Sequence, residues 1–135
     1  LGSITGMCFV LKDDEGIKYY DRKKDLLAIG DVKLTRISYG FWKGNLYSTL
    51  AIFKGNKNWK IIKGSLFEKF GSGLVYNHGF SISWRGEKTS IIALFNNVSN
   101  DGSLLMYSEK IRGEIDQEKK AALDKSIQRG AATGF

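Results

Sequence analysis

Alternation of apolar and polar positions lays out most of the chain. Cys8-Phe9-Val10-Leu11 and Ile17-Lys18-Tyr19-Tyr20 read as strands on either side of an acidic turn, Asp13-Asp14-Glu15-Gly16. Arg22-Lys23-Lys24-Asp25 is a polar connection. Val32 to Phe41 alternates again, but its phase slips: Val32 and Leu34 share one parity, whereas Ile37, Tyr39 and Phe41 share the other. One extra residue near Thr35-Arg36 reconciles them, because a bulge moves the following side chains to the opposite face. Gly44-Asn45 turns the chain, and Leu46 to Phe53 returns. On that return strand Leu46, Leu50 and Ile52 occupy one face and Tyr47 and Phe53 the other. Apolar groups on both faces predict a central strand covered on both sides.

A helix follows. Asn56 or Asn58 supplies a cap for its free amides. Trp59, Ile62, Leu66 and Phe70 then fall within about 80° of arc, one apolar stripe. Gly71 suits the left-handed stop after the last turn. Residues 73–79 read as loop. Phe80, Ile82 and Trp84 alternate with Ser81, Ser83 and Arg85, which predicts one buried face and one wet face. Gly86-Glu87-Lys88 is a turn, Thr89 to Phe95 a second two-sided strand, Asn97 to Gly102 a loop, and Ser103 to Ser108 a further strand. Beyond Lys110 the pattern is helical and polar, with a thin stripe of Ile111, Ile115 and Ala122, and residues 130–135 are expected to be disordered. The expectation is an α+β domain over residues 1–110: an antiparallel sheet of five or six strands, one packed amphipathic helix, and a polar helical tail over 111–135. Trp42-Lys43-Gly44-Asn45 and Trp84-Arg85-Gly86-Glu87 repeat one turn pattern and hint at an internal duplication. Two independent glycine turns would produce the same match.

Composition narrows the class. The 135 residues are 42% hydrophobic, which suffices for one domain with a real core. No run approaches the roughly 18 apolar residues of a membrane-spanning helix. The single cysteine, Cys8, allows no internal disulfide and no cysteine-rich zinc site, and its apolar setting is that of a buried, inert thiol. The chain begins at Leu1, which is read as a trimmed form from which a targeting segment has been removed. Thr5-Gly6-Met7-Cys8 is a poor fit to a lipid-attachment site, because Met stands where that cleavage needs a small residue.

Net charge is +7, and residues 31–70 carry eight basic and two acidic groups, so this one segment holds nearly all the excess. A local positive field favours an anionic partner, whereas dispersed lysines also serve solubility. Lys33, Arg36, Lys43, Lys57 and Lys60 are the candidate binding residues. Tyr39-Gly40-Phe41 is similar to the centre of an aromatic RNA-binding strand motif, but Ile37 and Ser38 replace the basic residue and glycine expected before it. Tyr39 and Phe41 are therefore assigned to the core. Catalysis by a histidine base could use only His78, in the glycine-bounded loop Asn77-His78-Gly79, with Cys8–His78 as a formal nucleophile pair. Asp13-Asp14-Glu15 lacks the alternating oxygen ligands of a calcium loop. No metal site, cofactor site or catalytic group is assigned.

Ile17-Lys18-Tyr19-Tyr20, Ile37 to Gly44, Leu66-Phe67-Glu68-Lys69-Phe70-Gly71, Trp84-Arg85-Gly86 and Gly102-Ser103-Leu104 occur in that order over about two thirds of the chain. In this the chain resembles a group of small bacterial proteins of unknown function, often made with an export or lipoprotein signal. The resemblance implies an α+β sandwich and a place in the periplasm or cell envelope. Its motifs are turns, caps and core aromatics, so it carries no catalytic residue. The expected function is a non-enzymatic accessory or binding domain that presents a sheet or a basic helix face to another protein or an anionic partner. The alternative is a nucleic-acid-binding domain using the basic 31–70 segment.

Overall fold

The computed structural model describes residues 7–22 and 28–132, with side chains to residue 130. Strands β1 (Met7–Lys12), β2 (Lys18–Arg22), β3 (Ala28–Ile29), β4 (Val32–Trp42) and β5 (Asn45–Lys54) come first. Helix α1 (Asn56–Phe70) follows, then β6 (Leu74–Tyr76), β7 (Ser81–Arg85), β8 (Thr89–Asn96), β9 (Asp101–Ser108) and helix α2 (Glu109–Ala132). The strands form one antiparallel sheet in the order β1-β2-β4-β5-β9-β8-β7-β6, with the two-residue β3 beside β4. The fold is α+β as expected, but the described residues hold nine strands rather than five or six. β6 lies inside the stretch assigned to loop, and β3 was not foreseen.

The phase slip in β4 is a bulge. Its register against β5 shifts between Leu34 and Arg36, and Ile37 then joins Val32 and Leu34 against the same core. Residues paired across antiparallel strands share a side of the sheet, so the register separates the two faces. Leu34, Phe53, Gly102 and Phe95 form one row on the first face; Thr49, Met106, Ile91 and Trp84 form another. Helix α1 covers this face. Trp59 lies flat between Phe53 and Phe95, with ring centroids 6.4 Å and 5.6 Å away, and Ile62 and Leu66 complete the stripe. Phe70, expected in that stripe, is 53% exposed because it sits in the last turn, past the edge of the contact. Neither asparagine caps the helix. Gly55 precedes it at φ 97°, and the Asn58 side chain donates to the Lys54 carbonyl instead.

Helix α2 lies on the second face. Gly40 pairs with Ser48 and Tyr19 on that side, and Ile17, Trp42 and Ile115 form a small second core there with Tyr19, Tyr47 and Ile111. The first half of α2 is thus part of the domain, since two of its aliphatics are built into a core. Topologically the chain is two four-stranded meanders, each followed by a helix, joined through β5 and β9. The twin tryptophan turns are not its equivalent points. The first joins the third and fourth strands of its meander, the second joins the second and third, and the two helices occupy opposite faces.

An ion cluster holds α2 in place. Arg112 donates to both carboxylate oxygens of Glu15, at 3.2 and 2.7 Å, and to Asp116 and the Tyr47 hydroxyl. Lys119 reaches Glu15 at 2.8 Å, and Lys43 reaches Glu118 at 2.8 Å. The Arg112 guanidinium, with Lys119 behind it, lowers the Glu15 carboxyl from its ordinary 4.5 to about 2. A depressed carboxylate contributes stability above its unfolded value and loses it as the folded value is approached. Acidification from about pH 4.5 to about pH 2 is therefore expected to loosen α2, read as faster amide exchange along residues 109–120. Glu15→Gln should remove that pH dependence; an unchanged profile in the variant would place its origin elsewhere.

Candidate functional site

The expected basic site is not assembled. Lys33 and Lys43 stand at opposite ends of β4, about 33 Å apart at the rise of a strand. Arg36 is held by Asp21 at 2.8 Å, and Lys43 by Glu118. Lys57 and Lys60 are exposed on α1, over the first face, whereas the Arg36–Asp21 pair lies on the second. The field of the 31–70 segment is spread around the domain, with two of its five candidate cations already paired.

The histidine site is also not assembled. His78 is exposed in a short 3-10 turn, and Asn77 and His78 both adopt positive φ. The depression beside it is lined by Asn77, Phe80, Phe95, Asn96 and Asn97, with no nucleophile or carboxylate among them. Cys8 lies on β1, seven strand spacings away along the sheet, about 33 Å. Its thiol is exposed on an edge strand rather than buried, because no further strand or helix covers β1 among the described residues. Tyr39 and Phe41 are half-buried rather than core. They sit on the α1 side of the sheet, where Phe9, Tyr20 and Phe41 make an edge-to-face ladder. Among the described residues no group of three His, Cys, Asp or Glu side chains could hold a metal ion.

The feature that stands out is on the second face. Leu50, Leu105 and Ile92 form one cross-strand row, and Ile52, Ser103 and Leu94 the next. Ser38 and Arg36 extend these rows on β4; Ser83 and Ser81 extend them on β7. The five aliphatics belong to neither core, and Leu94 is 45% exposed. α1 lies on the other side of the sheet, and the anchored half of α2 is tied to the hairpin tips at Glu15 and Lys43. A depression of about 510 Å³ opens at one end of the patch, over Ile52, Leu94 and Ser103 and beside Asn96 and Asp101.

This is the correction to the two-sided strands. β5 and β8 carry apolar groups on both faces as expected, but among the described residues α1 covers the first face, whereas α2 packs on the second only around Ile17, Trp42 and Tyr47 and leaves Leu94 45% exposed. A contiguous apolar patch on a sheet face is a contact surface in waiting, since water gains by its removal. Three of the cations that share this face are paired, Arg36 with Asp21, Lys54 with Asp101 at 3.6 Å, and Arg85 with Glu109 at 3.2 Å, while the exposed Lys33 stands beside Lys54 at its edge. The surface is an apolar centre with a polar rim whose charges are mostly paired, the anatomy of a protein interface. Sequence reasoning held the signal, in the double apolar faces of β5 and β8, but assigned those faces to the interior. No protein family, curated protein or solved structure matches the chain.

Proposed function

We propose that this chain is a non-enzymatic binding domain that docks an apolar protein surface on the open face of its sheet. The observation that carries the reading is the block of Leu50, Ile52, Ile92, Leu94 and Leu105, which lies outside both cores. Arg36, Lys54 and Arg85 around it are already held by carboxylates, which favours an uncharged or self-neutralised partner over a polyanion. A place in the bacterial envelope rests on the sequence resemblance alone.

A photo-crosslinking residue placed at Leu94 tests the reading against the same residue at Val98, which is 93% exposed on the β8–β9 turn. Discrete covalent adducts formed at position 94 and not at 98, in cells that make the protein, are expected. Equal capture at both positions, or none, would contradict it.

The second reading is nucleic-acid binding, which the net charge of +7 favours. It predicts affinity for a generic single-stranded oligonucleotide that falls steeply with salt. Absence of binding at low salt ends it.

A further inference from the structure

Past the last turn of α1 the domain has a further concavity. It holds about 600 Å³, within the roughly 300–1,000 Å³ of small-molecule sites. Its floor is the cross-strand row of Trp84, Ile91 and Met106, on the first face of the sheet. Phe70, at the end of α1, and Leu74, at the start of β6, stand at its rim.

Local bonds fix this shape. The Trp84 indole N–H donates to the Gly71 carbonyl at 2.9 Å, and the Phe67 ring meets the indole edge-to-face at 5.6 Å. Gly73 has φ 64° and passes so close that a Cβ there would lie 2.8 Å from the indole nitrogen. The turn between α1 and β6 is thus pinned to Trp84, which sets Phe70 and Leu74 beside the ring. Both are exposed, at 53% and 60%, and neither belongs to a core. Exposed apolar side chains around a concave apolar floor have the form of a ligand site.

We propose that this concavity binds a small, uncharged, mainly apolar molecule. The site is independent of the open-face reading, since its floor lies on the other side of the sheet. Two observations set the ligand class. Floor and rim are apolar, and Met106 supplies an unbranched side chain that adapts to an irregular guest. The one charged residue on the lining, Arg85, is held by Glu109 through its Nε at 3.2 Å. An anion would have to compete with Glu109, and a cation would find no carboxylate on the lining. Ser83 and Thr89 are the neutral polar residues that remain, suited to a single hydroxyl or carbonyl group of the ligand.

The test is a titration with N-phenyl-1-naphthylamine, an uncharged apolar probe, followed by methyl NMR. Saturable one-to-one binding is expected, with shifts at Leu74, Ile91 and Met106 and none at Ile92, Leu94 and Leu105 of the open face. Leu74→Lys and Phe70→Ser are each expected to weaken it roughly tenfold, with the circular dichroism of the fold unchanged. Both positions are exposed, so neither variant should fail to fold. Shifts as large on the open face, no saturable binding, or affinity unchanged in both variants would overturn the proposal. Anilinonaphthalene sulfonate, the same ring systems with an added anion, tests the class. Weaker binding at Ile91 and Met106 is expected, and tighter binding at those methyls would overturn the uncharged assignment.

Discussion

Trp59→Ala is expected to destabilise the domain by about 3–5 kcal/mol, the cost of deleting a fully buried aromatic whose site cannot collapse. Trp59 is 1% exposed and is held between Phe53 and Phe95, with interplanar angles of 9° and 11°. Those two rings belong to β5 and β8, on either side of Gly102 on β9. The indole therefore joins α1 to three central strands at once. Its removal leaves a void lined by rings fixed to the sheet, which cannot move inward without breaking strand register. For a domain of ordinary stability, about 5–15 kcal/mol, the loss approaches the whole. Urea unfolding of the variant measures it. A loss under about 1 kcal/mol would mean that α1 is not seated as described.

Gly102→Ala is the second large effect, expected at about 1–3 kcal/mol by overpacking and at the upper end of that range. Gly102 is paired with both Phe53 and Phe95, and a methyl group there would overlap the Phe53 ring. Phe53 is fully buried beneath Trp59, so its ring has no free direction to take. Thermal melting of the variant, compared with Gly64→Ala on α1, gives the contrast. An added methyl at Gly64 meets nothing within 4 Å, and alanine there should raise the melting temperature through helix propensity. Equal effects at the two glycines would contradict the packing at Phe53.

These two sites also show what was legible in the sequence. The stripe of Trp59, Ile62 and Leu66 follows from helical period alone, and the structure buries all three. The bulge in β4 was legible because alternation has a period of two and a single extra residue breaks it visibly. β6 was not legible. Three residues, Leu74-Val75-Tyr76, are too few for alternation, and Gly73 and the left-handed Asn77 and His78 bracket them as a loop would be bracketed. Nor was the clamp on α2, since Arg112 and Glu15 are 97 residues apart and nothing local marks either as a partner.

The candidate surface was half legible. Double-sided apolarity in β5 and β8 was plain, but the reading stopped at a covering layer because a sequence shows which faces are apolar and not what lies on them. The basic segment misled in the opposite way. Eight cations within residues 31–70 are close in sequence, but a strand of 11 residues and a helix on the other face carry them apart.

Leu94 and Phe95 provide the most direct measurement, because they are neighbours on one strand and point to opposite faces. Phe95 is 6% exposed beneath α1, and Leu94 is 45% exposed on the second face. Urea unfolding of Leu94→Ser and Phe95→Ser, each at a concentration where the chain is monomeric, should give a loss within about 1 kcal/mol for the first and about 3–5 kcal/mol for the second. Similar losses at both positions would mean that the second face is covered within the single chain, and the open binding surface would not exist.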